Sequence, residues 1–197
     1  MALRRGAVSR QTKETDITVE LNLDGEGRGN ITTGLGFFDH LLEALARHGL
    51  FDLEIRAVGD LEVDGHHTVE DVGICLGRAL DRALGDRAGI VRYGWACLPM
   101  DEALVLASVD LGGRPFTDCR LDLPPVMVGE FYTGLFAEFC RSLAQTGRFN
   151  LHVRQLAGED PHHVLEAAVK ALARALSAAC RVDENVQGIP STKGTLS

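Results

Sequence analysis

His66-His67-Thr68-Val69-Glu70 recurs as His162-His163-Val164-Leu165-Glu166, in a chain with only seven histidines. From composition, about 0.02 His-His-x-x-Glu matches are expected by chance. The neighbouring text repeats as well. His48-Gly49 corresponds to Thr146-Gly147, and FDLEI (51–55) to FNLHV (149–153), both at an offset of 98; the two motifs follow at an offset of 96. This is the signature of an internal duplication, with residues 1–90 as the first half and 91–197 as the second, together one compact domain.

Working outward, TDITVELNL (15–23) alternates apolar and polar residues as a strand does, and GRGNITTG (27–34) reads as its hairpin partner. FFDHLLEALARHG (37–49) has helical periodicity and ends on a glycine, a common helix stop. FDLEIRAV (51–58) is a strand, and TVEDVGICLGRALDRAL (68–84) a helix. The second half has strand text at 93–100, 103–113 and 115–123, a helix at 129–147 and a strand at 149–156. It ends in a long helix at 161–180, with proline in the first turn. The predicted fold class is α/β (α+β), an internally duplicated β-β-α-β-α unit.

Composition narrows the function. The 197 residues are 45% hydrophobic, enough for a core, and carry a net charge of -8. An acidic chain without a basic run is poorly suited to nucleic acid. No apolar run approaches the roughly 20 residues that span a bilayer, and the N-terminal text lacks the apolar stretch of a secretory signal. Five widely spaced cysteines without a CxxC pair read as free thiols of a cytoplasmic protein.

Both motifs fall at the first turn of a predicted helix. Successive side chains there diverge by about 100°, while residues three or four apart share a face. Glu70 can therefore converge with His66 or His67, but the adjacent histidines cannot readily reach one ion together. Two metal ions, shared between halves or subunits, resolve this. The offset of 98 pairs His40 with Glu138, so the candidate ligands are His40, His66, His67, Glu70, Glu138, His162, His163 and Glu166. Imidazole with carboxylate suits Mn, Fe, Co, Ni or Zn. His152 alternates with Leu151 and Val153 and reads as structural.

At the C-terminus, Ser191, Thr192 and Lys193 lie between Gly188 and Gly194 and offer hydroxyls, a cation and flexible backbone to an anion. Arg92 and Arg114 precede strand text and can join them. Glu14 just before a strand, and Asp101 and Glu102 in PMDEAL, read on pattern alone as solvated or turn carboxylates. The residues alone thus describe a dinuclear metal protein with a phosphorylated small-molecule ligand. A two-metal hydrolase and a non-catalytic metal-binding shell protein both stay open.

The stretches RQTKET, GLGFFDHLLEALARHG, DGHHTVEDVGICLG, PMDEAL, GRPF, LHVRQLAGEDPHHVLEAAVKALARAL and GIPSTKG go further. Along nearly its whole length the chain resembles imidazoleglycerol-phosphate dehydratases, the hydro-lyases of histidine biosynthesis. The resemblance implies four-stranded sheets with helices packed on one side and a 24-subunit homo-oligomer with active sites between subunits. It also implies two Mn²⁺ per site. It assigns the metal to the eight residues above, with Glu138 standing where many members have histidine. It assigns substrate contacts to Glu14, His48, Arg92, Arg114, Lys170, Ser191, Thr192 and Lys193, the arginines and the STK segment holding the phosphate. The implied chemistry holds the substrate ring as an imidazolate between the ions. The hydroxyl next to the ring leaves through a diazafulvene-like intermediate, and an enol then tautomerises to imidazole acetol phosphate. Glu14 is the expected proton carrier, with His66 or His67, Asp101 and Lys170 as supporting acid–base groups.

Overall fold

The structure, a computed structural model, describes residues 4–196. The chain runs β1 (Arg5–Gln11), β2 (Thr15–Asn22), β3 (Gly29–Thr32), α1 (Gly36–Gly49), β4 (Asp52–Gly59) and α2 (His66–Leu84). The second half repeats this as β5 (Tyr93–Met100), β6 (Ala103–Asp110), β7 (Phe116–Arg120), α3 (Leu135–Gly147), β10 (Asn150–Ala157) and α4 (Pro161–Cys180). A short hairpin, β8 (Met127–Val128) and β9 (Phe131–Tyr132), is inserted before α3. Each half forms a four-stranded sheet, in the orders β1-β2-β4-β3 and β5-β6-β10-β7. The last pair of each sheet is parallel and the others are antiparallel.

Alternation produces the layering. In β2, Thr15, Ile17, Val19 and Leu21 turn inward and are buried, while Asp16, Thr18 and Glu20 face out. The helices cover only the inner face of each sheet, and the two helical layers meet through α1 against α4 and α2 against α3. The order is sheet, helices, helices, sheet. Each fully buried Phe or Leu in the middle, such as Phe38, Phe139, Leu42 and Leu143, contributes about 1.5–3 kcal/mol.

Several expectations need correction. The first half contains an additional strand, β1, so the repeated unit has three strands before its first helix. Residues 27–34 are not the hairpin partner of β2: that partner is β1, and β3 lies parallel to β4. The helix expected at 129–147 starts only at Leu135, because Gly129 (φ 58°) turns the β8–β9 hairpin and Phe131 is buried against Phe38. The glycine ending α1 does not supply the left-handed residue. That residue is Leu50 (φ 57°), matched by Arg148 (φ 56°) after α3. Such a conformation costs a non-glycine residue about 1–2 kcal/mol. The Phe51 and Phe149 amides donate to the Ala46 and Ala144 carbonyls there, and both rings are buried. Gly49 and Gly147 are instead needed for space: a Cβ would sit 2.5 Å and 2.8 Å from those rings.

Candidate metal centres and substrate site

The helix contacts between halves bring the repeated motifs together crosswise. His40 on α1 meets His162 and Glu166 on α4; His66 and Glu70 on α2 meet Glu138 on α3. In each trio one donor atom per residue lies within 4.8 Å of the others. The trios are equivalent under the duplication, so six of the eight expected ligands converge in two sites of three. Their spacing follows from helix geometry, since the i and i+4 positions of α2 and α4 share a face.

The trios differ in detail. Glu166 Oε2 lies 2.9 Å from His40 Nε2 and 3.2 Å from His162 Nε2, and its other oxygen accepts from Lys170 Nζ at 2.6 Å. Burial pushes this carboxyl up, but hydrogen bonds from His40 and Lys170 outweigh it and hold it down at about 2. In the other trio, His66 Nε2 lies 3.9 Å from Glu70 Oε2, and Arg141 pairs with both Glu138 and Glu70.

His67 and His163 turn away from the trios, at near-right angles to His66 and His162 (84° and 85°). His67 Nδ1 lies 3.0 Å from Asp60, and His163 Nδ1 2.7 Å from Glu102. These carboxylates hold both imidazoles above their usual pKa. Nδ1 is thereby committed and Nε2 left without a hydrogen bond among the described residues, the arrangement in which a carboxylate orients a metal-binding histidine. Asp60 had no role in the sequence reading. Glu102 reads on pattern alone as a turn carboxylate, although an offset of 88 makes it the counterpart of Glu14. Glu14 lies 3.9 Å from His67 Nδ1, with its side chain 55% exposed. Asp101 is in the β5–β6 turn, 3.7 Å from His163 Nε2. Burial, then the charges of Lys170 and Arg174, keep His48 below its usual pKa and favour its neutral form. His152 lies on the outer sheet face against Phe116, as its alternation predicts.

The anion residues also converge. Arg92, Arg114, Ser191, Thr192 and Lys193 line one cavity of about 660 Å³. Arg92 is fixed from several sides. It donates to Asp110 from Nε (2.7 Å) and Nη2 (3.1 Å) and to the Pro190 carbonyl from Nη1 (2.7 Å), and it lies over the Tyr93 ring. Three of its five N–H groups are used, leaving one on each terminal nitrogen. This cavity is beside the end of α4, where the Arg92 amide donates to Ala179. His162 is at the start of α4, about 25 Å away along the helix. One chain therefore does not bring its own anion cavity to its own His40–His162–Glu166 trio.

Among the described residues no helix is long and apolar enough to cross a membrane, and all five cysteines are free.

The donor set of both trios, imidazole nitrogen and carboxylate oxygen without thiolate, fits a first-row divalent ion. Comparison with known proteins agrees with this architecture. The profile of the family described as imidazoleglycerol-phosphate dehydratase matches residues 33–176. The imidazoleglycerol-phosphate dehydratase of Thermoanaerobacter pseudethanolicus is 56% identical over 194 residues, covering 98% of this chain and 100% of its own. That of Moorella thermoacetica is 54% identical, with 98% and 99% covered. Two solved structures superpose with a TM-score of 0.82. The imidazoleglycerol-phosphate dehydratase of Staphylococcus aureus N315 is 34% identical, with 91% of this chain and 99% of that one covered. The Pyrococcus furiosus protein, solved in complex with (S)-C348, is 41% identical, with 96% and 100% covered. With this identity over almost its whole length and the same fold, the chain belongs to the imidazoleglycerol-phosphate dehydratase family.

Proposed function

We propose that the chain dehydrates D-erythro-imidazoleglycerol phosphate to imidazole acetol phosphate in histidine biosynthesis, as a cytoplasmic enzyme. The observation that carries this is the pairing of two equivalent imidazole–carboxylate trios with an anion cavity of two arginines, a lysine and two hydroxyls. The first matches an azole ring with two nitrogens, the second a phosphate.

Two Mn²⁺ ions are the proposed cofactors. His40, His162 and Glu166 would hold one, and His66, Glu70 and Glu138 the other. His67 and His163 would each complete a site of another chain, consistent with rings turned away from the trios and an Nε2 without a hydrogen bond among the described residues. When bound, the ions would supply Lewis acidity to both ring nitrogens, favouring the imidazolate and the loss of the side-chain hydroxyl next to the ring. The remaining work falls to the chain. Arg92, Arg114, Ser191, Thr192 and Lys193 bind the phosphate and fix the glycerol chain. The Glu14 carboxylate takes the proton from the carbon next to the one that loses hydroxyl. Lys170, Asp101 and the neutral His48 line the route, Lys170 holding Glu166 ionised. Loss of both groups gives an enol that tautomerises to the ketone.

A three-carbon glycerol phosphate cannot connect the His40–His162–Glu166 trio to a cavity about 25 Å away along α4. The working site is therefore built from several copies, and we take the 24-subunit assembly implied by the family resemblance as its form. The direct test supplies purified protein with imidazoleglycerol phosphate and follows ketone formation with Mn²⁺ and with chelator. Metal-dependent ketone supports the proposal; no ketone from metal-loaded, assembled protein rejects it.

A further inference from the structure

The duplication provides an internal control on the metal positions. His66 corresponds to His162 and Glu70 to Glu166 at an offset of 96, and these pairs are chemically identical. The third members correspond at an offset of 98 but differ: His40 on α1, Glu138 on α3. One scaffold thus presents two imidazoles and one carboxylate in one half-pair, and one imidazole and two carboxylates in the other. The surroundings reflect the extra charge. Lys170 pairs with the single carboxylate of the first trio, whereas Arg141 spans both carboxylates of the second.

Carboxylate oxygen favours hard ions such as Mn²⁺ and Mg²⁺, while imidazole nitrogen favours Zn²⁺. We infer that the two metal positions of this chain are unequal: the His66–Glu70–Glu138 position selects Mn²⁺ over Zn²⁺ at least tenfold more strongly than the His40–His162–Glu166 position. This rests on the dinuclear reading proposed above. Completing each position with one imidazole from another copy adds the same donor to both and leaves the difference intact.

The test uses full-length assembled protein, stripped with chelator and reloaded with Mn²⁺ alone, with bound Mn counted per chain by elemental analysis. Zn²⁺ is then titrated in at fixed Mn²⁺, and retained Mn is followed by elemental analysis and by electron paramagnetic resonance. Two displacement steps are expected, separated at least tenfold in Zn²⁺, with one Mn per chain lost in each. Glu138→His should merge them by moving the later step earlier. His40→Glu should merge them from the other side, so a folding defect in one variant leaves the other to decide. A single step in the unaltered protein, or two steps that neither folded variant shifts, overturns the inference. Fewer than two Mn per chain before zinc is added overturns the dinuclear reading itself.

Discussion

Glu14 and Glu102 occupy the same place in the two halves, yet only one is free to move a proton. Glu102 accepts from His163 Nδ1 (2.7 Å) and from the backbone N–H groups of Asp160 (3.0 Å) and Glu159 (3.3 Å), which hold its carboxyl at about 2. It is an orienting group whose two oxygens are both engaged. In the first half Asp60 has taken over that task for His67, and Glu14 stands 3.9 Å away with more than half its side chain exposed. Glu14→Gln should therefore lower turnover by about 10²–10⁴-fold with both metal ions retained, as elemental analysis of the variant would show. Loss of metal along with activity would make Glu14 structural. Arg92 invites a second substitution. Its planar fork serves Asp110, Pro190 and the cavity at once, and lysine cannot reproduce that geometry. Arg92→Lys should weaken binding of inorganic phosphate roughly tenfold or more, measured calorimetrically; unchanged binding would mean that charge alone suffices. That the trio residues would converge was legible in the sequence because motif and offset mark them, and the residues of the anion cavity were legible from their residue types beside Gly188 and Gly194. Asp60 was not, since Gly158 stands at its second-half counterpart and nothing in the pattern repeats.

Among the elements, β1 escaped sequence reading for a physical reason. Its inward positions are Gly6, Val8 and Arg10, so the alternation that identified β2 is almost absent. Arg10 reaches the buried Asp71 at 2.6 Å, and Gly6 lies where the strand touches helix α2. A Cβ on Gly6 would sit 1.9 Å from the Ala79 carbonyl oxygen; its counterpart Gly94 on β5 would place one 2.0 Å from that of Ala175 on α4. These are backbone atoms of a packed helix, so each strand would have to move away. Gly6→Ala and Gly94→Ala should each destabilise the fold by about 1–3 kcal/mol, read as a lower midpoint of chemical unfolding. An unchanged midpoint for either would show that strand and helix separate freely. The β8–β9 hairpin was misread for the opposite reason. Phe131, Leu135 and Phe136 keep a helix-like apolar spacing, but Phe131 fills the space over Phe38 from strand β9. The longer connection from β7 to α3, which carries this hairpin, explains why the offset grows from 88 before it to 98 after it, a change that hid the correspondence between Glu14 and Glu102. The long helices α2 and α4 were readable throughout because their amphipathic periods extend over 19 and 20 residues.

At the scale of the whole molecule, the placement of the trios and the anion cavity dictates how the protein must work. The crosswise helix contacts build both trios inside one chain, so the metal binding proposed for them would depend on the packing of the two halves. The cavity belongs to the far end of α4, and the rings of His67 and His163 turn away from the trios. If, as proposed, a working site takes its His40–His162–Glu166 trio from one copy and its phosphate cavity from another, defects in the two should complement each other. Glu166→Ala removes a trio carboxylate, Arg92→Ala removes a cavity cation, and each assembled variant alone should be nearly inactive. Co-expressed in equal amounts and assembled together, they should regain activity in about a quarter of sites, the fraction in which random mixing places an intact trio against an intact cavity. The measurement is specific activity of the purified mixed assembly, compared with the two variants assembled separately and then combined. Recovery only after co-assembly would place the active site between chains. No recovery in a mixed assembly that has bound its metal would mean that trio and cavity act within one chain, and the separation along α4 would then have to close by a rearrangement of the fold.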